Sequence, residues 1–350
     1  MKRVSLNIHN FLTIQINWKV PFGFMDQMNA PFGYFETERV EHPDIILDIG
    51  DFKPETRGCH ILDHKTYIRR EYIYCNEKTD GIRIKLEIRG IESFPTFVNA
   101  IIVKKGLGRV FFPGLLVQNI LLRPLVDFKL LQRGVLSLHG CALAGRQGGV
   151  VLLGRGGCFK TTVAMNLMRR GGFSLLGDDR VLVHKNVVYC YPLQAGIFNF
   201  RLSRCKTEDY RRFDRVRYVL SRLRCRKHPG PIVDRAPLHS VFCLVKHERI
   251  GASIRMVGKA DVVRRSERSH QLENLVSPQL LGVSTGKLYE LFSAYAYVFP
   301  NSVVASYWGD HSDLLDHCLN GNEFFEICVP RVYSDSVTEK VVEALGSAQA

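Results

Sequence analysis

Apolar and polar residues alternate along the first third of the chain and recur at helical spacing beyond it, and the change falls near residue 115. In "GIRIKLEIRG", Ile82, Ile84, Leu86 and Ile88 alternate with Arg83, Lys85, Glu87 and Arg89. This period of two predicts a strand with one face on a core and one in water. Asp80-Gly81 stands directly before it and "EYIYC" lies upstream, so a hairpin turning around Thr79, Asp80 and Gly81 is expected. "DIILDIG" and "FVNAIIVKK" read as further strands between Pro-, Gly- and Asn-rich joints. Residues 1–115 are therefore expected to form a mainly β N-terminal domain.

From Leu115 the pattern becomes "LLVQNILLRPLVDFKLLQRG", a helix kinked or restarted at Pro124 and stopped by Gly134. "VLSLHG" and "GGVVLLG" read as two strands, with "CALAGRQ" as the connection between them. "TTVAMNLMRR" suits a helix closed by Gly171-Gly172, with Arg169 and Arg170 complementing its dipole in the last turn. "FSLLGDD", "RVLVHKNVVYCY", "HSVFCLVKHE" and "EFFEICVP" read as strands, and "GKLYELFSAYAYVF" as a helix. Strand, glycine-rich loop, helix and strand in that order make a βαβ unit. An α/β domain over 116–335 is expected, followed by a tail over 336–350 that frays at "GSAQA".

Composition narrows the class. With 350 residues and 46% hydrophobic composition the chain can bury a sizeable core. No run approaches the roughly 18 apolar residues that span a bilayer. The opening "MKRVSLNIHNFLTIQINWKV" lacks the apolar stretch and cleavage site of a signal peptide, so a soluble, cytoplasmic protein is expected. The ten cysteines form no C-x-x-C pair, and Cys141, Cys243 and Cys328 sit in apolar runs, as reduced thiols do. Cys59, His60 and His64 in "CHILDH" are of zinc-ligand type, but no second pair lies at a recognised spacing.

The net charge of +14 favours acidic partners without choosing among them. Much of it lies in "RLSRCKTEDYRRFDRVRYVLSRLRCRKH", residues 201–228, where Phe213, Val216, Leu220 and Leu223 fall at helical spacing. Such a basic amphipathic helix is either a solvated face or a surface for an acidic peptide, nucleic acid or substrate phosphate.

Candidate chemistry gathers at "GRGGCFKTT", residues 154–162. Gly154, Lys160 and Thr161 fit the phosphate-loop pattern G-x-x-x-x-G-K-[ST], but its second glycine is Phe159. Such a loop works because backbone N–H groups freed at a helix N-terminus point at anionic oxygens. Gly154, Arg155, Gly156, Gly157, Cys158, Phe159, Lys160, Thr161 and Thr162 are the candidate nucleotide-binding residues. Lys160 is of the type that reaches β and γ phosphates, and the Thr161 hydroxyl of the type that binds Mg²⁺. Phe159 removes no donor, but its Cβ and ring exclude backbone dihedrals that glycine allows. Asp178 and Asp179 close the next strand. If that strand runs parallel to the one ending at Gly154, both carboxylates emerge beside the loop at the carboxyl edge of the sheet. One can then share Mg²⁺ with Thr161 while the other accepts a proton from an attacking hydroxyl. A solvated Asp-Asp turn is the alternative.

The run "LHGCALAGRQGGVVLLGRGGCFKTTVAMNLMRRGGFSLLGDD", with its surroundings from 138 to about 183, resembles the HPr kinase/phosphorylase-like family, whose nucleotide-binding domain is similar to that of phosphoenolpyruvate carboxykinase. His139-Gly140, Lys160-Thr161 and Asp178-Asp179 follow one another in the family's order. The resemblance implies an α/β class with a C-terminal P-loop kinase-like domain, and ATP with Mg²⁺ used to phosphorylate a serine-type hydroxyl of a protein, peptide or small molecule. It further implies Asp178 as general base, Asp179 with Thr161 at the metal, Lys160 as the phosphate clamp, and His139 near the transferred group, where a purely structural role is the alternative. Phe159 departs from the family pattern. A non-catalytic nucleotide-binding regulator that docks an acidic partner through the basic segment is the second reading. Oxaloacetate chemistry would need basic and metal-binding residues that the chain does not assemble.

Overall fold

A large sheet underlies each half of the chain. The computed structural model describes residues 2–20, 32–79, 82–104, 117–193, 198, 232–248, 251–275, 279–280, 283–284 and 286–347. The fold is mixed α/β, with two nine-stranded sheets. It divides into two compact units: Met1–Arg133 with Gln271–His311, and Gly134–His270 with Ser312–Ala350. This division falls elsewhere than the expected boundaries near 115 and 335, because a segment between residues 271 and 311 returns to the first unit. The basic segment 201–228 lies outside the described residues, as do Asp80 and Gly81 of the expected hairpin turn.

The first unit is built on β1 (Lys2–Ile8), β2 (Leu12–Trp18), β3 (Glu36–Thr37), β4 (Ile45–Ile49), β5 (His60–Leu62), β6 (Thr66–Arg69), β7 (Tyr72–Thr79), β8 (Ile82–Arg89) and β9 (Thr96–Lys104). They lie in the order β3-β1-β2-β4-β9-β8-β7-β6-β5. The alternation in β8 buries Ile82, Ile84, Leu86 and Ile88 as expected, but the charged face is not simply wet. Lys85 and Glu87 are buried too. Residues 51–55 pass over them: Lys85 Nζ bonds Asp51 Oδ1 at 2.6 Å and the Phe52 carbonyl, while Glu87 accepts from the Tyr72 hydroxyl and Asn99 Nδ2. Each buried charge is thus satisfied locally, as burial requires. His60 lies on β5, and Asp63-His64 form the left-handed turn into β6. Among the described residues no three His, Cys, Asp or Glu side chains gather to hold a metal, so the zinc reading of "CHILDH" finds no ligand set there.

The helix expected from Leu115 is described from residue 117. It opens with a π-helical turn, Gln118–Leu122, and continues as α1 (Arg123–Gln132). Pro124 has no N–H to give to the carbonyl four residues back, and the widened turn directly precedes it. On α1, Lys129 is fully buried, and its ammonium donates to the Ile91 and Ser93 carbonyls at 2.7 Å each and lies 4.4 Å from the Phe94 ring centroid. One side chain therefore closes the 90–95 loop.

The second unit contains β10 (Leu136–Leu138), β11 (Gly140–Gly145), β12 (Gly148–Leu153), α2 (Lys160–Arg170), β13 (Ser174–Gly177), β14 (Val181–His184), β15 (Val187–Tyr189), β16 (Arg235–Lys246) and β17 (Ser253–Met256), then α3 (Lys259–Leu275). The remaining elements are the short ribbon of β18 (Gln279–Leu280) and β19 (Val283–Ser284), the helices α4 (Lys287–Val298) and α5 (Val303–Cys318), then β20 (Glu323–Val329) and α6 (Ser336–Ser347). "CALAG", expected as a connection, is the strand β11, paired antiparallel with β12 through a turn at Arg146 and Gln147. Its small residues hid a strand; a Cβ would meet the Leu152 carbonyl at Gly140 and the Phe173 ring at Gly145. In β12, Val151 and Leu153 face one core cluster and Val150 and Leu152 the other. Burial on both faces explains its uninterrupted apolar run. Val163, Ala164 and Leu167 of α2 join Val337, Val341 and Ala344 of α6 on one face, whereas Val262 and Val263 of α3 lie on the other. The expected tail over 336–350 is thus a core helix through residue 347, because Val337, Val341 and Ala344 make one apolar stripe at a helical period. Among the described residues no helix is long and apolar enough to cross a membrane.

Lys129→Ala leaves the Ile91 and Ser93 carbonyls without their buried donor and is expected to cost about 3 kcal/mol of stability. Denaturant unfolding of the full chain measures this; an unchanged midpoint would contradict the role given to Lys129.

Candidate functional site

Three close backbone approaches set the frame of the site. Gly154, which follows β12 directly, has φ +143°, and a Cβ there would lie 2.5 Å from the Leu244 carbonyl oxygen of β16. A Cβ on Gly140 would stand 2.8 Å from the Leu152 carbonyl, and one on Gly177 2.5 Å from that of Arg180. Side chains are excluded at all three points, between neighbouring strands at Gly140 and Gly154 and within the 177–180 turn at Gly177. β11 pairs antiparallel with both β12 and β13, and therefore β12 and β13 run in the same direction with β11 between them. The βαβ unit is real in direction but split by a strand. Its consequence is that the loop after Gly154 and the Asp178-Asp179 pair emerge at one sheet edge.

The loop leads into α2 through Phe159, which occupies the N-cap in the left-handed conformation, φ 65° and ψ 16°. This is the backbone geometry that glycine takes freely and other residues adopt at a cost of about 1–2 kcal/mol. The steric conflict expected from the sequence thus resides in the backbone. Packing opposes it: the ring contacts the core cluster of α2 and α6, meets Tyr333 edge-on at 5.5 Å, and lies under the Lys246 ammonium at 4.7 Å. Tyr333 is itself fixed, with its hydroxyl paired to Thr338 Oγ1 at 2.7 Å and accepting from Asn166 Nδ2 at 2.5 Å. Gly156 and Gly157 meet no such neighbours; a Cβ on either would find nothing within 4 Å. The middle of the loop is open.

Lys160 is buried and turned into the loop, where Nζ donates to the Gly154 carbonyl and, at 3.3 Å, to that of Arg155. It also lies 3.0 Å from His139 Nε2. An ammonium only donates, so Nε2 accepts and the imidazole proton is assigned to Nδ1. Nδ1 faces Asp179 Oδ1 at 3.8 Å. Asp179, His139 and Lys160 therefore form one chain. The Thr161 hydroxyl donates to Asp178 Oδ1 at 2.8 Å, and Asp178 is 5% exposed. Nearby, burial and the Asp178 charge push the Cys141 thiol well above its ordinary pKa.

His139, Lys160, Thr161, Asp178 and Asp179 are thus brought together, with Gly154 to Phe159 forming the loop beside them. The expected pairing of Thr161 with Asp179 is not the one found. Asp179 sits at φ 74° in the tight turn after Gly177, which parts the two carboxylates: Asp178 goes to Thr161 and Asp179 to His139. Hard oxygen donors from Thr161 and Asp178 side by side suit Mg²⁺, which takes one or two protein oxygens together with phosphate and water. Thr162 is half-buried in the first turn of α2, and Arg155 is exposed. Sequence reasoning missed Cys141, Lys246 and Tyr333. Nothing marks Tyr333 or Lys246 in one dimension, whereas the placement of Cys141 two residues after His139 in an apolar run could have pointed inward under the site.

No protein-family model matches the chain, and no curated protein does. Among solved structures it is similar to the Hpr(Ser) kinase/phosphatase from Coxiella burnetii, at 12% identity and a TM-score of 0.28, over 61% of this chain and 99% of that one. At that TM-score the likeness does not bear on the reading of the site.

Gly154→Ala places a methyl against the Leu244 carbonyl at a positive φ and is expected to cost about 3 kcal/mol or more, while Gly156→Ala stays within about 0.5 kcal/mol of wild type. Thermal unfolding of the two variants checks the contrast; equal effects would contradict the frame described.

Proposed function

We propose that the second unit binds a nucleoside triphosphate with Mg²⁺ at the 154–162 loop and transfers its γ-phosphoryl group to a serine-type hydroxyl of a protein, peptide or small molecule. The observation that carries this reading is the Thr161–Asp178 hydrogen bond, which joins the first turn after the loop to a carboxylate on a second strand end. In this reading Gly154, Arg155, Gly156, Gly157, Cys158, Phe159 and Thr162 surround the phosphates, and Thr161 and Asp178 would hold the metal. When bound, Mg²⁺ neutralises phosphate charge and orients the transferred group. Lys160 exchanges its loop carbonyls for phosphate oxygens. Asp179, the more open carboxylate, accepts the proton of the attacking hydroxyl, and His139, oriented by Asp179 at Nδ1, holds Lys160 through Nε2. These roles exchange the two aspartates relative to the family resemblance. Thiols rather than disulfides at the described cysteines, together with the use of ATP, fit a cytoplasmic setting.

The second reading, a nucleotide-binding regulator without transfer activity, draws support from Phe159 in a strained glycine position. Its docking surface would be the basic segment 201–228. Transfer of label from γ-labelled ATP to a panel of serine-containing acceptors separates the two. Kinase function predicts transfer by wild type and a loss of about 100-fold or more in Lys160→Ala, Asp178→Asn and Asp179→Asn, with Asp179→Asn still binding ATP. A wild-type chain that binds ATP and labels no acceptor would favour the regulator.

A further inference from the structure

Lys246 is the last residue of β16, the strand that lies parallel to β12 with Cys243 opposite Leu153. That register carries the end of β16 past the start of the loop, and Lys246 is exposed at the same sheet edge. Its ammonium does not hang free there. It stands 4.7 Å from the centroid of the Phe159 ring, which is in turn held edge-on by Tyr333 at 5.5 Å. Tyr333 is locked to α2 through Asn166 and to α6 through Thr338. A chain of fixed groups thus leads from two helices to one cation at the rim of the loop.

The position of Phe159 makes this arrangement informative. A glycine would hold φ 65° without strain, yet the chain places a phenyl ring there. The ring brings what glycine cannot: an electron-rich face that favours a cation above it. Lysine is a flexible side chain, and holding its tip beforehand lowers the ordering cost of a later contact. Lys160, the loop's lysine, is engaged with two carbonyls and His139, and a polyphosphate carries several negative charges.

We propose that Lys246, carried on the Phe159 ring, is a phosphate-binding cation supplied to the loop from the neighbouring strand, and that Phe159 serves as its perch. The proposal rests on the reading of the loop as a nucleotide site and adds a contact to the β or γ phosphate from outside the loop itself. Phe159 is then a positioning residue whose replacement by the loop-pattern glycine harms binding.

Calorimetric titration of ATP, ADP and AMP into the full chain with Mg²⁺ tests this. Lys246→Ala is expected to weaken ATP about tenfold, the size of one charge-assisted contact, and AMP much less. Lys246→Arg retains binding within about twofold because a guanidinium also sits over an aromatic face. Phe159→Gly weakens ATP as well, and the double variant Phe159→Gly with Lys246→Ala is no weaker than the weaker single one, since both remove the same unit. ATP binding by Lys246→Ala equal to wild type, alongside loss in Lys160→Ala, would overturn the proposal and leave the nucleotide site standing. Tighter binding by Phe159→Gly would overturn the perch. Absence of ATP binding by wild type would remove both the proposal and the reading beneath it. The two Lys246 variants touch no core residue, so the test survives even if Phe159→Gly fails to fold.

Discussion

The hydrogen bond from Thr161 Oγ1 to Asp178 Oδ1 is possible only because β12 and β13 point the same way across an intervening antiparallel strand. That constraint governs the second unit. With β11 inserted between them, the two strand ends stand roughly 10 Å apart at ordinary strand spacing, a gap that the first turn of α2 bridges. Gly140, Gly154 and Gly177 are the points where backbones approach too closely for any side chain. Remove the convergence and the loop, His139 and the carboxylates no longer share an edge.

Within that frame the site divides its charges. Asp178 is buried, and the Thr161 hydroxyl gives it a hydrogen bond, which helps a carboxylate remain tolerable in a low-dielectric setting. Asp179 is turned out by its positive φ and meets His139 instead. Two adjacent acids in sequence therefore occupy different environments, the condition under which paired carboxylates take different tasks. Phe159 and Asp179 both hold positive φ without being glycine, and such conflicts between residue and backbone concentrate at functional sites.

Much of this could be read from the chain alone, and the failures have physical causes. Strands with strict alternation, such as Ile82–Arg89, and the helix Lys160–Arg170 with its glycine stop were legible because periodicity and local turn chemistry are encoded within a few residues. The burial of Lys85 and Glu87 was not, since it depends on residues 51–55 crossing the strand from more than thirty positions away. "CALAG" carries too little bulk to look like a strand, and Val337, Val341 and Ala344 were too few to distinguish a core helix from a tail. In the site, the loop and the two aspartates were visible as residue types. Which aspartate meets Thr161 was decided by the tight turn at Asp179, a backbone feature without a sequence signature in a non-glycine residue.

The central claim is that Lys160, Thr161 and Asp178 make one magnesium-dependent nucleotide site. Equilibrium binding of ATP to the full chain, measured with and without Mg²⁺ for wild type, Lys160→Ala and Thr161→Val, tests it most directly. The account predicts wild-type binding that strengthens with Mg²⁺, loss of that strengthening in Thr161→Val, and weak binding under either condition in Lys160→Ala. Binding that ignores Mg²⁺ in wild type, or that survives Lys160→Ala unchanged, would contradict it.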